Sequence, residues 1–161
     1  METTIATVGV YGSNLERFLG ALAHADVGTV LDVRQRRGVR GPEYAWANSQ
    51  RLQRALAEAG LGYRHLRELA PTTELRQLQY AIDDATGVGK RTRRKLAPEY
   101  AERYVDEILD RVDLHVVLDA LPAEGIGALM CVERDPEACH RSLIAARLAS
   151  QFGFSVLDLR A

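Results

Sequence analysis

The 161-residue sequence holds only two cysteines, too few for the disulfide framework that staples small secreted domains. No apolar run approaches the length needed to cross a bilayer. The opening Met-Glu-Thr-Thr lacks the basic-then-apolar pattern of a signal peptide. These absences lead to the expectation of a cytoplasmic protein with no membrane partner and reduced thiols. The glycine-rich dinucleotide fingerprint is missing, and so is any C-x-x-C pair. Gly87-Val88-Gly89-Lys90-Arg91-Thr92 superficially resembles a phosphate loop, but its spacing is wrong for a Walker A motif and no apolar strand precedes it. Redox work on a dinucleotide therefore has no support, and the sequence names no cofactor. Internal repeats, linkers and low-complexity segments are absent too, so residues 1–161 read as one domain.

What the sequence does contain is positive charge in two places. Its net charge is −1, yet Arg34, Arg36, Arg37 and Arg40 lie close together, as do Lys90, Arg91, Arg93, Arg94 and Lys95. Such clusters in a near-neutral chain suit an anionic partner, either a phosphate-bearing small molecule or nucleic acid, or else form solvated loops.

Strands and helices alternate along the chain. Ile5–Val10, Thr29–Val33, Tyr63–Leu66, Ile126–Val132 and Ser155–Leu159 read as strands. Ser13 with Glu16 matches a capping box ahead of the Leu15, Phe18, Leu19, Leu22 stripe. Asn48 or Ser49 caps a helix that Gly60 ends. Leu75, Leu78 and Ile82 are in register over 74–85, and Pro98 opens the next helix. Leu114–Leu121 keeps helical spacing, with a strand over His115–Leu118 as the alternative. The expected fold is α/β: a mainly parallel sheet of about five strands with helices on both faces, Rossmann-like and three-layered.

The stretch from Cys131 to Ser142 gathers both cysteines, a histidine and an Arg-Ser pair at a strand-to-helix turn. Ligands of open α/β sheets bind at such turns. Asp135 and Pro136 place the helix start near Pro136–Cys139. Arg141 then heads the core-facing row with Ala145, Leu148 and Phe152, so it needs an anionic ligand or an internal partner such as Glu133 or Asp32. Four uses of the cysteines stay open: plain packing, favoured for Cys131; a reactive Cys139 beside His140 and Arg141; a metal site of Cys131, Cys139, His140 and Glu133, disfavoured because the short paired spacing of structural zinc is missing; and a reversible disulfide. No metal ligand is assigned on this basis.

Other turns join the candidate site if their strands are neighbours. Gly9–Ser13 offers amides near a helix start. Asp32 closes a strand beside Arg34, His65 reads as core or edge, and Tyr44 and Trp46 either stack on a base or pack their own loop.

Three blocks together resemble the DUF488 family of small bacterial and archaeal proteins, named for its lack of assigned function. They are Thr7-Val8-Gly9 with Leu15-Glu16-Arg17-Phe18-Leu19, Val30-Leu31-Asp32-Val33-Arg34, and Cys131-Val132-Glu133 through Cys139-His140-Arg141-Ser142. Tyr63-Arg64-His65-Leu66 and Glu68-Leu69 form a weaker fourth. The chain departs from the family pattern at Val10-Tyr11 and at Ala70-Pro71. The resemblance implies a shared fold and singles out Asp32, Arg34, Glu133, Cys139, His140 and Arg141, but it implies no activity.

The expected function is anion binding at one rim of the fold. Arg34, Arg141, Ser142, Arg36 and Arg37 would hold the anion, with Cys139, His140, Glu133 and Asp32 as candidate catalytic groups. If chemistry follows, hydrolysis or transfer on a phosphorylated or nucleic-acid substrate fits better than redox work. The rivals are a cysteine-dependent enzyme or redox sensor using Cys139, and a non-catalytic binding or scaffold protein.

Overall fold

Five apolar segments become the strands of one sheet in a computed structural model that describes residues 2–89 and 91–161. In chain order the elements are β1 (Thr4–Val8), α1 (Leu15–His24), β2 (Val27–Asp32), α2 (Ser49–Glu58), β3 (Gly62–His65), α3 (Thr73–Thr86), α4 (Pro98–Tyr104), α5 (His115–Ala120), β4 (Ile126–Met130), α6 (Arg141–Phe152) and β5 (Ser155–Asp158). Short 3-10 turns cover Pro42–Ala47, Arg67–Leu69 and Pro136–Ala138, and α4 runs on into a π-helical turn at Val105–Leu109. No helix among the described residues is long and apolar enough to cross a membrane.

The strand order is β3-β2-β4-β1-β5 and every neighbouring pair is parallel. Both faces of such a sheet are covered, which is why the inner strands are mostly apolar and buried on both sides instead of alternating with exposed polar residues. Successive side chains point to opposite faces. Ala6, Val8, Val30, Ala128 and Met130 pack with Phe18 and Leu22 of α1 and Leu52 and Leu56 of α2. Ile5, Leu31, Leu129 and Cys131 pack on the other side with Tyr100, Tyr104, Val117, Ile144 and Leu148. The result is the expected three-layer α/β fold.

The topology sets the site. From β2 the chain moves outward to β3, and from β4 it crosses to β5 on the opposite edge. The direction of winding therefore reverses between β2 and β4, where open α/β sheets carry their ligands beyond the carboxyl ends of the strands. Gly9 lets the end of β1 close on this region, because a Cβ there would meet the Glu133 carbonyl oxygen at 2.1 Å.

Three local expectations are corrected. Asn14, not Ser13, caps α1: its side chain accepts from the Arg17 amide at 2.9 Å, while the Ser13 amide closes a turn onto the Val10 carbonyl. Residues 115–118 are helical, as the spacing over Leu114–Leu121 predicts, and the alternative strand does not form. On α3 the buried row is Leu75, Gln79 and Asp83, with Leu78 and Ile82 only half-buried. Finally, the helix expected from Pro136 is interrupted. Cys139 is extended (φ −133, ψ 147) between the 3-10 turn and α6, whose N-cap is His140.

Candidate functional site

At the end of β2, Asp32 and Arg34 form a buried forked pair. The Arg34 Nε and Nη2 donate to the two carboxylate oxygens at 2.9 and 2.8 Å, and Nη1 donates to the Ala47 carbonyl at 2.9 Å. Tyr63 on β3 donates its hydroxyl to the same carboxylate. Burial works against the charge on Arg34, but Asp32 outweighs it and holds the guanidinium pKa up. Burial, and then Asp32, push the Tyr63 hydroxyl up as well. Asp32 is fully buried, so it acts as the internal partner of Arg34. All three Arg34 nitrogens are spent on protein acceptors, and the expected role of Arg34 as an anion holder is not what its geometry provides.

Arg141 is corrected in the same way. It is wholly buried at the start of α6, and its Nη1 and Nη2 donate to the backbone carbonyls of Glu133 and Arg134 at 2.8 and 3.2 Å. It fastens the turn after β4 from below, pairing neither with a ligand nor with the Glu133 or Asp32 carboxylate. Ser142 donates to the Cys139 carbonyl at 2.8 Å and so caps local backbone. The amides of Val10 to Ser13 in the turn after β1 are spent as well. The Val10 and Tyr11 amides donate to the Val132 carbonyl, and that of Gly12 to the Tyr44 hydroxyl.

Glu133 finds a partner that its sequence neighbourhood does not suggest. Arg93, from the basic loop after α3, donates to Glu133 Oε1 at 2.9 Å and to Asp83 Oδ2 at 2.6 Å, and both its Nε and Nη2 reach the Ala138 carbonyl. Gln79 completes the network, donating to Asp83 Oδ1 and accepting from the Ala97 amide. Burial opposes the charge of Arg93, but Glu133 and Asp83 raise its pKa. Burial pushes the Glu133 carboxyl up, and nearby Cys131 adds to this against the pull of Arg93. Glu133 Oε2 is buried with no hydrogen-bond partner among the described residues.

Cys131, Cys139 and His140 meet beside this network. Both cysteines are buried free thiols, and Cys139 Sγ lies 3.6 Å from His140 Nδ1. The other ring nitrogen, Nε2, is 2.8 Å from the Val33 carbonyl. A hydrogen bond with Cys139, burial and the neighbouring sulfur push the Cys131 thiol up to about 12, against His140. Burial lowers the His140 pKa, but Cys131 and the Val33 carbonyl outweigh it and the net shift is upward. The Tyr104 ring packs 5.3 Å from the imidazole, and burial holds the Tyr104 and Tyr100 hydroxyls well above their ordinary range.

These groups wall a cavity of about 680 Å³ at the carboxyl ends of β2 and β4. Cys131, Glu133, Cys139, His140, Arg93 and Tyr100 form part of its buried wall. Its outer edge carries Arg36, Arg40 and Arg91, which are exposed, and half-buried Arg76. Arg91 lies over the Tyr11 and Tyr44 rings at 5.3 and 5.1 Å and pairs with Glu43. Arg76 bonds Gln35 and Tyr80, which leave its charge uncompensated. No side-chain partner for Arg36 or Arg40 occurs among the described residues. Among the described residues six arginines but only three carboxylates line the cavity, and with Asp32 neutralising Arg34 the balance remains positive.

Of the residues expected at the site, Arg34, Arg36, Glu133, Cys139 and His140 line the cavity, whereas Asp32, Arg37, Arg141 and Ser142 do not. Arg37 instead reaches the Tyr63 hydroxyl at 3.4 Å. His65 is half-buried and donates to the Arg34 carbonyl from edge strand β3. Trp46 packs on Phe18 at 5.0 Å, so the aromatic loop is used for packing. Lys90 lies outside the described residues. Arg91 belongs to the basic cluster noted in the sequence, whereas Arg76, Gln79 and Asp83 carry no such signal. The only trace of the buried pair in sequence is that Gln79 and Asp83 continue the four-residue spacing of Leu75 on one helix face.

No curated protein and no solved structure matches the chain. One family profile, a domain of unknown function, DUF488, matches residues 14–148. That span runs from the cap of α1 to the middle of α6 and includes β2, β4 and the whole Cys131–Ser142 turn, so the chain belongs to the DUF488 family.

Proposed function

We propose that this domain binds a phosphate-bearing small molecule in the cavity between the ends of β2 and β4. The observation that carries the reading is the surplus of guanidinium charge at the cavity edge, above all Arg36 and Arg40, which no carboxylate neutralises among the described residues. Guanidinium groups bind phosphate oxygens through paired N–H donors. The cavity volume suits a nucleotide-sized ligand, since small-molecule pockets span roughly 300–1,000 Å³. This favours a small molecule over a nucleic-acid strand, which needs an open groove. If the bound molecule is hydrolysed or transferred, Glu133 is the buried-wall carboxyl placed to move a proton. A reducing, cytoplasmic setting accords with two adjacent thiols that remain unbonded.

A thermal-shift series with inorganic phosphate, pyrophosphate and nucleotides tests this, run on the wild type and on the Arg36→Ala/Arg40→Ala variant. At ligand concentrations about 100-fold above Kd, stabilisation of about 2.7 kcal/mol is expected for the wild type and little for the variant. Both positions are exposed, so the variant keeps its fold. A melting temperature that no phosphate compound moves would overturn the reading.

A further inference from the structure

The buried wall holds a second arrangement that anion binding does not use. The Sγ atoms of Cys131 and Cys139 and a ring nitrogen of His140 all lie within 4.8 Å of one another. We propose that these three residues bind one borderline-soft divalent cation of the zinc class, with the fourth coordination position open to the cavity.

The distances fit. Zinc sits at about 2.3 Å from thiolate sulfur and about 2.0–2.1 Å from imidazole nitrogen. The edge of a tetrahedron joining those two ligands is then about 3.6 Å, and Cys139 Sγ lies 3.6 Å from His140 Nδ1. A thiol packed as an ordinary small hydrophobe has no need of a second sulfur and an imidazole nitrogen around one point.

The histidine is also held as a ligand. A carbonyl oxygen only accepts, so the Val33 carbonyl 2.8 Å from Nε2 fixes the proton there. In the neutral ring the Nδ1 lone pair then points to the sulfurs. A metal-bound histidine commonly donates its other N–H to a backbone carbonyl in this way, which fixes tautomer and ring orientation.

The backbone explains how two consecutive residues can share one site. Adjacent side chains on a continuous helix diverge. Here Cys139 is extended and His140 is the αR cap of α6, and the break turns both inward toward Cys131 at the end of β4. Ligand spacing of eight residues and then one carries no zinc signature in the sequence. It becomes a cluster only when the turn doubles back on the strand.

All three residues line the cavity, so the remaining tetrahedral position faces solvent or ligand, as in catalytic zinc sites with three protein ligands. Glu133, with its unpartnered Oε2, lies on the same wall. Binding converts the two thiols to thiolates and releases two protons to solvent. The dication and the two thiolates then sum to zero charge, which suits a buried position beside the Arg93 network.

The test is metal uptake by the whole chain, kept under a non-thiol reductant and purified without chelator. Elemental analysis of protein from zinc-replete cells is expected to find about one zinc per chain. Metal-stripped wild type, with its fold checked by circular dichroism, should take up Co(II) with the intense visible bands of a tetrahedral site and near-ultraviolet sulfur-to-cobalt charge transfer. Cys139→Ser should lose part of that charge transfer and weaken uptake more than tenfold. The stripped wild type alone decides the matter if the variant fails to fold. No Co(II) or Zn(II) uptake by folded, reduced wild type would overturn the proposal. So would a pale octahedral spectrum unchanged by Cys139→Ser, or a Cys131–Cys139 disulfide recovered from acid-quenched cells. Repeating the phosphate melting series on stripped protein keeps failure here distinct from failure of the anion reading.

Discussion

Arg93 Nη2 lies 2.9 Å from Glu133 Oε1, tying the basic loop after α3 to the end of the central strand. The same guanidinium pairs with Asp83 at 2.6 Å, so one cation from an apparently solvated cluster bridges two buried carboxylates. The cavity keeps its shape because this bridge holds α3, the loop and the Cys131–Arg141 turn together.

Removing that cation leaves two carboxylates buried without compensation. Arg93→Ala is expected to destabilise the protein by about 3–5 kcal/mol. Arg91→Ala, which breaks an exposed pair with Glu43, should stay within about 1 kcal/mol. Urea unfolding of the two variants, with m-values compared, measures the contrast.

Arg141 separates a fastening role from a ligand-binding one. Its Nη1 and Nη2 donate to the carbonyls of Glu133 and Arg134, and hydrogen bonds to charged groups contribute about 1.5–3 kcal/mol each. Arg141→Lys has no fork to span both acceptors. It should therefore lower the melting temperature nearly as far as Arg141→Ala, with phosphate present or absent. Restoration of wild-type stability by lysine would refute the two-carbonyl clamp.

Gly9→Ala tests the close approach of β1 to the turn after β4. The added methyl would sit 2.1 Å from the Glu133 carbonyl oxygen, a backbone atom that can yield only by shifting the turn. Overpacking of this kind costs about 1–3 kcal/mol. Equilibrium denaturation should show that loss, and Gly20→Ala, where nothing lies within 4 Å, should show none.

Salt reports on where the ligand sits. The Arg36 and Arg40 guanidiniums are exposed, so their attraction for an anion is screened as the Debye length falls from about 10 Å at 0.1 M to about 3 Å at 1 M salt. Titration calorimetry with pyrophosphate across that range should show affinity falling steadily. Constant affinity would place the anion on the buried wall instead.

Much of the architecture was legible because it rests on local rules. Apolar β-branched runs, the helical stripes of α1 and α2, and the Pro98 start all follow from periodicity and capping within a few residues. Errors arose where two local signals competed, as with Ser13 and Asn14 at the start of α1. They also arose where a distant charge overrode a local pattern, as Arg93 did in burying Gln79 and Asp83 in place of fuller burial of Leu78 and Ile82.

The site was legible as a list and not as an arrangement. The DUF488 blocks and the Cys-His-Arg stretch marked Glu133, Cys139 and His140, which do line the cavity. Residue type and position at strand ends made Arg34 and Arg141 look like anion ligands, with an internal partner the alternative for Arg141. A buried guanidinium takes whatever acceptors surround it, and here these are Asp32 and three backbone carbonyls.

From its sequence the chain owes its parallel α/β class, its strand and helix segments and the chemical character of the Cys131–Ser142 turn, since each depends on neighbours within a turn or a strand. The tertiary structure decided which charges cancel, which stay free at the cavity edge, and that two thiols and an imidazole converge. Those outcomes depend on strand order and a break before α6, which bring together groups far apart along the chain, and charge–charge and metal-ligand geometry act across that space.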